Sequence, residues 1–260
     1  MGPGQPQILA FGDDRSLSAD AAWLWVVSQH WPGWRIRVVS AEPDGPEILV
    51  PEPWDPPHPR RHPDPDVVVV HEVVRAEPRR ALTRLAGQDL LVIGPRGAGL
   101  AKRLGIGSVS TAVLRDPPGP VVIVHHADPV RRVVFCADGS PHSRAALDAL
   151  RRMPWIGEVP VRVVSVRESG IDAGAAARAA ADALQGTAAA VEVGLLEPDP
   201  RDLFHRTEDL IFEELRRWGA DLVVIGTRGL GVTDSLRAGS IATSMAGNAP
   251  CSVLLAAQVR

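Results

Sequence analysis

Hydrophobic positions along residues 131–260 fall into two alternating patterns. Short, continuous β-branched runs ("RVVFCA", "VRVVSV", "AAVEVGLL", "DLVVIG", "CSVLLA") are separated by segments whose apolar residues recur at helical spacing. Continuous runs of this length predict strands buried on both faces, as in parallel sheets. The segments between them predict helices: "SPHSRAALDALRRM", with Leu147, Leu150 and Met153 on one face, then "DAGAAARAAADALQG", "RDLFHRTEDLIFEELRRWG" and "SIATSMAGN". Strands separated by helices require right-handed crossovers, so the expected fold class is α/β, a doubly wound parallel sheet with helices on both faces. Ligands on such sheets bind beyond the C-terminal strand ends, where the strand order reverses.

The first half repeats the second. "QILAFGDDRSLSADAAWL" (7–24) aligns with "RVVFCADGSPHSRAALDAL" (132–150), placing Asp13 on Asp138 and Ser18 on Ser143. "WRIRVVSAE" (34–42) aligns with "VPVRVVSVRE" (159–168), and "PGPVVIVHH" (118–126) with "APCSVLLAAQ" (249–258). The common order implies an internal duplication, with domain 1 at 1–128 and domain 2 at 129–260. One segment breaks the match. Where domain 2 has its Ala-rich helix, domain 1 has "EPDGPEILVPEPWDPPHPRRHPDPD" (42–66), too rich in proline for a helix. It is expected to be an extended, partly polyproline-like loop, a decayed helix or a docking segment for a proline-recognising partner.

Composition narrows the function. The 260-residue chain is 45% hydrophobic and 23% charged, with a formal charge of −3. Acidic and basic residues balance in each half, so no electrostatic basis for nucleic-acid binding is present. Lys102 is the only lysine, against a lysine-centred phosphate site or a Schiff base. Cys136 and Cys251 lie inside apolar runs, which reads as two buried thiols in a reducing compartment. No apolar run approaches the length of a membrane span, so a cytoplasmic protein with no membrane partner is expected. The histidines, including His58, His62, His125 and His126, show no metal-ligand spacing. Trp23, Trp25, Trp31 and Trp34 surround the first helix, Trp23 and Trp31 near one face; packing is the default, with one tryptophan left for an interface.

One motif occurs twice: "GPRGAGLAKRLGIGSV" (94–109) and "GTRGLGVTDSLRAGSI" (226–241) each read Gly-x2-Gly-x9-Gly-Ser after an apolar run ending in Ile. Glycines after a strand let backbone approach a ligand closely. The second Gly-Ser precedes a helix, whose N-terminus offers unpaired N–H groups to phosphate. Ser240 either caps that helix or donates to phosphate, and Asp13 and Asp138 either cap the helix that follows or contact ligand. Arg96 and Arg228, between the glycines, read as loop salt-bridge residues or phosphate contacts. No P-loop and no dinucleotide fingerprint is present. "DGSPHS" holds Ser, His and Asp without the geometry of a triad.

The repeated glycine motif, together with the strand-Asp-x-Ser of "FCADGSPHS" in domain 2, resembles the universal stress protein family over essentially the whole chain, more strongly in domain 2. The resemblance implies tandem five-stranded α/β sandwiches and a site for ATP, AMP or another adenine nucleotide, with Mg2+ accompanying the phosphates. It places Ala137 and Asp138 beside the nucleoside, Val166 against adenine, and Ile225, Gly226, Gly229, Gly239, Ser240 and Ile241 around ribose and phosphates. The matching positions in domain 1 are Gly12, Asp13, Ala41, Ile93, Gly94, Gly97, Gly107, Ser108 and Val109. The implied function is a nucleotide-binding stress-response regulator without catalytic residues, acting on an unknown protein partner. An intramolecular pseudo-dimer through "PVVIVHH" and "SVLLAAQ" is implied as well, and a homodimer is left open. The alternatives are a nucleotide-free interaction module and a weak ATP hydrolase, and a cyclic mono- or dinucleotide would suit the same backbone donors.

Overall fold

A computed structural model describes residues 6–42, 49–52, 66–85, 88–96, 106–167, 172–198, 206–228 and 239–258. The chain forms two compact units, Met1–Asp128 and Pro129–Arg260.

Unit 2 is the more regular. Its sheet has the order β11-β10-β7-β8-β9, all parallel, from strands β7 (Val133–Cys136), β8 (Pro160–Val166), β9 (Ala190–Leu196), β10 (Leu222–Gly226) and β11 (Ser252–Ala256). The central strands β7 and β10 are apolar throughout and buried except at Cys136, which is half-buried, as expected for strands covered on both faces. Helices α4 (Pro141–Arg151) and α5 (Ala173–Leu184) touch each other; α4 lies along β10 and β11, and α5 along β8 and β9. Helix α6 (Thr207–Trp218) returns the chain to β10 and touches α7 (Ser240–Asn248). The strand order therefore reverses between β7 and β10, the predicted place for a ligand.

Local chemistry sets the helix ends. Ser140 caps α4 by accepting from Ser143 N, with Pro141 at the first helical position, and Asp172 caps α5 through Ala175 N. Helix α6 carries Glu208 and Asp209 in its first turn and Arg216 and Arg217 in its last, complementing its dipole. It stops at Gly219, whose φ of 64° only glycine adopts without strain. A buried carboxylate ties α6 to the sheet: Glu214, 3% exposed, pairs with Arg162 of β8 and with Arg217. Arg162 also bonds Glu192 of β9 at 3.0 Å and lies over the Trp218 ring. Losing one partner of such a pair costs about 3–5 kcal/mol, because the other charge stays buried.

Unit 1 repeats this plan with one change, an added strand. Its strands are β1 (Gln7–Gly12), β2 (Trp34–Ala41), β3 (Leu49–Glu52), β4 (Val68–Val74), β5 (Leu90–Ile93) and β6 (Val121–Ile123), in the order β3-β4-β2-β1-β5-β6. Its helices are α1 (Leu17–Ser28), α2 (Pro78–Thr83) and α3 (Ser108–Arg115). The proline-rich segment expected as a loop contains β3, which pairs antiparallel with β4, so unit 1 has six strands and not five. Pro51 is tolerated there because β3 is an edge strand; residues 43–48 and 53–65 lie outside the described residues. The tryptophan expectation also changes. Helix α1 ends at Ser28, so Trp31 lies beyond it, and all four tryptophans are buried, none left for an interface. Trp31 anchors the helix end by donating from Nε1 to Val26 O at 2.7 Å.

Among the described residues, no helix is long and apolar enough to cross a membrane, and no group of three His, Cys, Asp or Glu is placed to hold a metal ion.

Candidate functional site

In unit 2 the sequence-predicted residues converge on the carboxyl ends of β7, β8 and β10. Ala137 continues β7, donating its N–H to Val164 O of β8 at 2.8 Å. Asp138 then opens the turn into α4. Its Oδ1 accepts from Ser140 N at 2.8 Å, across Gly139 at φ 73°. Asp138 is thus an Asx-turn residue and not the helix cap, which is Ser140. No hydrogen bond reaches its Oδ2 among the described residues. Val166 ends β8 half-buried, and Ile225 and Gly226 end β10 buried.

Helix α7 supplies the donors. Its N-cap is Gly239, with no side chain to cap the helix, and Gly239 N donates to Thr227 O at 2.8 Å. Ser240 is the first helical residue, so the reading of Ser240 as a cap is set aside. The first intrahelical bond runs from Thr243 N to Gly239 O. The N–H groups of Ser240, Ile241 and Ala242 therefore stay without a protein acceptor among the described residues, at the positive end of the helix. Gly229 lies outside the described residues.

The two described glycines of this motif do different work. A Cβ on Gly226 would stand 2.7 Å from both the His142 carbonyl carbon and Ser143 N. Gly226 lets the start of α4 sit on β10. Among the described residues, a Cβ on Gly239, at φ −61°, would meet only Thr227 O at 3.5 Å and the Arg228 Cα at 3.7 Å, ordinary contacts. Unit 1 repeats the close packing at Gly94, whose Cβ would meet Ser18 O at 2.7 Å.

Sequence reading missed a polar cluster beside these residues. His142 Nδ1 accepts from Gln258 N at 3.1 Å and lies 3.4 Å from the Thr227 hydroxyl. The backbone donor fixes the neutral tautomer with its proton on Nε2. Burial lowers the His142 pKa, the Arg228 charge lowers it further, and Asp138 opposes both. Thr227 is buried, and its N–H donates to Ala256 O. Ser140 Oγ donates to Arg228 O. Arg228 makes no ion pair among the described residues, and its Nε is buried without a partner. Ser165, at the end of β8, is also buried with an unpartnered hydroxyl. The sequence shows His142 only as the histidine of "DGSPHS"; its partners could not be found there, because they lie 85 and 116 residues away.

Unit 1 has the same frame with one reassignment. Asp13 N donates to Val39 O, as Ala137 N donates to Val164 O, so Asp13 occupies the place of Ala137. Asp14 occupies that of Asp138: its Oδ1 accepts from Ser16 N at 3.1 Å, and Ser16 caps α1. Arg15, at φ 59°, stands where Gly139 stands, and Ser18, not aligned with Ser143, faces Gly94 as His142 faces Gly226. Asp13 itself is buried and accepts from Arg15 N, and Gly12 matches Cys136. The signal was the Asp-x-Ser spacing, which in this half is Asp14-Arg15-Ser16. Ala41 and Ile93 end β2 and β5 as Val166 and Ile225 end β8 and β10. Gly107 caps α3 without a side chain, and Ser108 and Val109 begin it. Gly97 lies outside the described residues. Ser40, the counterpart of Ser165, bonds His71 Nε2 at 3.0 Å.

Comparison with known proteins matches residues 58–125 and 129–257 to the family model described as the universal stress protein family. A protein from Mycolicibacterium smegmatis named universal stress protein is 28% identical over 192 residues, 64% of this chain and 61% of its own length. The chain thus spans less than two thirds of that relative. Among solved structures, a universal stress protein from Archaeoglobus fulgidus superposes with a TM-score of 0.67 at 18% identity, covering 98% of this chain and all of its own. A putative universal stress protein from Pseudomonas aeruginosa gives 0.59 at 15% identity, over 98% and 94% of the two chains.

Proposed function

Because the chain belongs to the universal stress protein family, we propose that it is an adenine-nucleotide-binding regulator of a stress response, which takes ATP in unit 2 and acts through a ligand-dependent protein contact without turnover. The observation that carries this reading is the start of α7. Three N–H groups with no acceptor among the described residues and a side-chain-free cap lie at the sheet's switch point, where Asp138 also lies, its Oδ2 without a hydrogen bond among the described residues. In this reading the helix start takes the phosphates and Asp138 takes the ribose hydroxyls. Val166 and Ile225 give the base an apolar floor. Unit 1 offers the same elements through Asp14, Ala41, Ile93, Gly107, Ser108 and Val109. Mg2+ enters with the phosphates.

One observation favours the second reading, a nucleotide-free interaction module of the same fold: Gly94 and Gly226 are explained by helix packing and need no ligand. Titration calorimetry of the ligand-free chain with ATP, AMP and cyclic AMP separates the two. ATP is expected to bind, with Gly239→Glu losing the unit 2 site while its unfolding temperature is retained, because Gly239 has room for a Cβ. Asp138→Asn, which keeps the acceptor for Ser140 N, is expected to weaken binding. No heat with any of the three nucleotides, from folded protein, refutes the nucleotide reading and leaves the module.

A further inference from the structure

We infer that the outer edge of β9 is a self-association surface, on which β9 of a second copy of this chain pairs antiparallel, Val193 facing the partner's Val193. The duplication supplies the first argument. Strand β4 holds in unit 1 the place that β9 holds in unit 2, and β4 has its outer edge covered by β3, with Leu49 opposite Val74 and Val50 opposite Val73. No strand covers the outer edge of β9 among the described residues.

The backbone fixes which groups that edge presents. Leu196 O accepts from Arg167 N of the chain leaving β8, so Leu196, Gly194 and Glu192 turn toward β8. By the period of two, Val191, Val193 and Leu195 turn N–H and C=O outward. Their side chains share one face, and Val193 and Leu195 are 46% and 37% exposed. Devices that usually blunt an edge are missing: "AVEVGLL" has no proline and no lysine, and its one charge, Glu192, is held by Arg162 at 3.0 Å.

Register selects the occupant. Antiparallel hydrogen-bonded pairs join outward-facing residues, each pair exchanging two bonds. Centring on Val193 joins Val193 to the partner's Val193, and Val191 to the partner's Leu195 on both sides of the axis. This is the centre that overlaps the whole strand, and it brings the exposed apolar side chains together. It sets Glu192 opposite the partner's Gly194, so no like charges meet. Gly194 is covered by the Arg162 guanidinium, 3.0 Å from where its Cβ would be, so each glutamate arrives over an arginine of the other copy.

The test uses the full chain. Sedimentation equilibrium between about 1 and 100 µM is expected to show a monomer–dimer equilibrium. Val193→Lys, which sets two ammonium groups opposite each other, should weaken it by at least about tenfold. Val193→Cys should form an inter-chain disulfide on mild oxidation, since hydrogen-bonded antiparallel partners lie about 5.5 Å apart between Cα atoms. Cys136 and Cys251 do not compete, because burial pushes both thiols up to about 12. A monomer throughout this range overturns the inference and leaves the edge to a heterologous strand. So does a dimer that Val193→Lys leaves intact and Val193→Cys does not cross-link.

Discussion

Replacing Gly226 by alanine asks whether the first glycine of the repeated motif serves the fold or a ligand. The added Cβ would lie 2.7 Å from the backbone at His142 and Ser143. Carbon atoms pack at about 3.5–4.0 Å, so α4 must move by roughly 1 Å against β10. Neither side gives easily. The α4 start is held by the Ser140 cap and by His142, which binds Gln258 N, while β10 is paired on both edges. Overpacking of this kind costs about 1–3 kcal/mol, and rigid backbone on both sides puts Gly226→Ala near the top of that range. In a unit of this size that lowers the unfolding temperature by roughly 9 °C. Gly239→Ala is the control. Its Cβ makes only ordinary contacts, and the weaker capping of alanine is offset by lower chain entropy, so its stability should stay within about 1 kcal/mol. Scanning calorimetry reads both variants, with hydrogen exchange over residues 140–151 locating the loss. A Gly226→Ala protein within about 0.5 kcal/mol of the parent would refute the packing argument. A larger loss in Gly239→Ala than in Gly226→Ala would refute it as well.

Two further outcomes follow from titratable groups. His142 has its pKa lowered from 6.5 in the fold, so the folded protein resists a proton that the unfolded chain accepts. Its contribution to stability is full above about pH 6.5 and falls as the pH drops toward the lowered value. Denaturant unfolding from pH 8 to 5 should show this fall in the parent and less of it in His142→Gln. Both cysteines are raised to about 12, mainly by burial. Their contribution is complete below the unfolded value of 9.0 and is lost as the pH rises toward 12. Ellman's reagent at pH 8 should find almost no thiol in the native protein and both in urea; fast native labelling would contradict the burial of these groups.

Much of the fold was legible because apolar runs report burial directly. "VVFC" and "LVVIG" read as buried parallel strands, and they are parallel and largely buried, at the centre of the unit 2 sheet. What depended on distant contacts was not legible. Gly226 is constrained by α4, far away in sequence, and a glycine after a strand carries no mark distinguishing helix packing from ligand approach. His142 is surface-like in composition and gains its role from Thr227 and Gln258. The slip from Asp14 to Asp13 has a local cause. The apolar runs of the two halves coincide equally well with a shift of one residue, whereas the left-handed position and the cap, Arg15-Ser16 against Gly139-Ser140, do not. Strand β3 was hidden because its prolines argued against regular structure, although an edge strand accepts them.

The same details rank the two units as candidate sites. In unit 2 the turn that presents Asp138 uses glycine at its left-handed position, and a Cβ there would already touch Ala176 of α5 at 3.6 Å, so the turn rests on a helix. In unit 1 that position is Arg15, at a cost of about 1 kcal/mol or more, and no described helix takes the place of α5. Ala41 also offers a smaller surface than Val166. A ligand at Asp14 would therefore meet a turn that is more strained and less supported, and part of its binding energy would go into ordering it. Of the two proposed sites, unit 2 is therefore expected to bind more tightly than unit 1, which titration of the two single-site variants would show. The ranking rests on the α5 contact and the Gly139 conformation, since the glycine caps of α3 and α7 are alike.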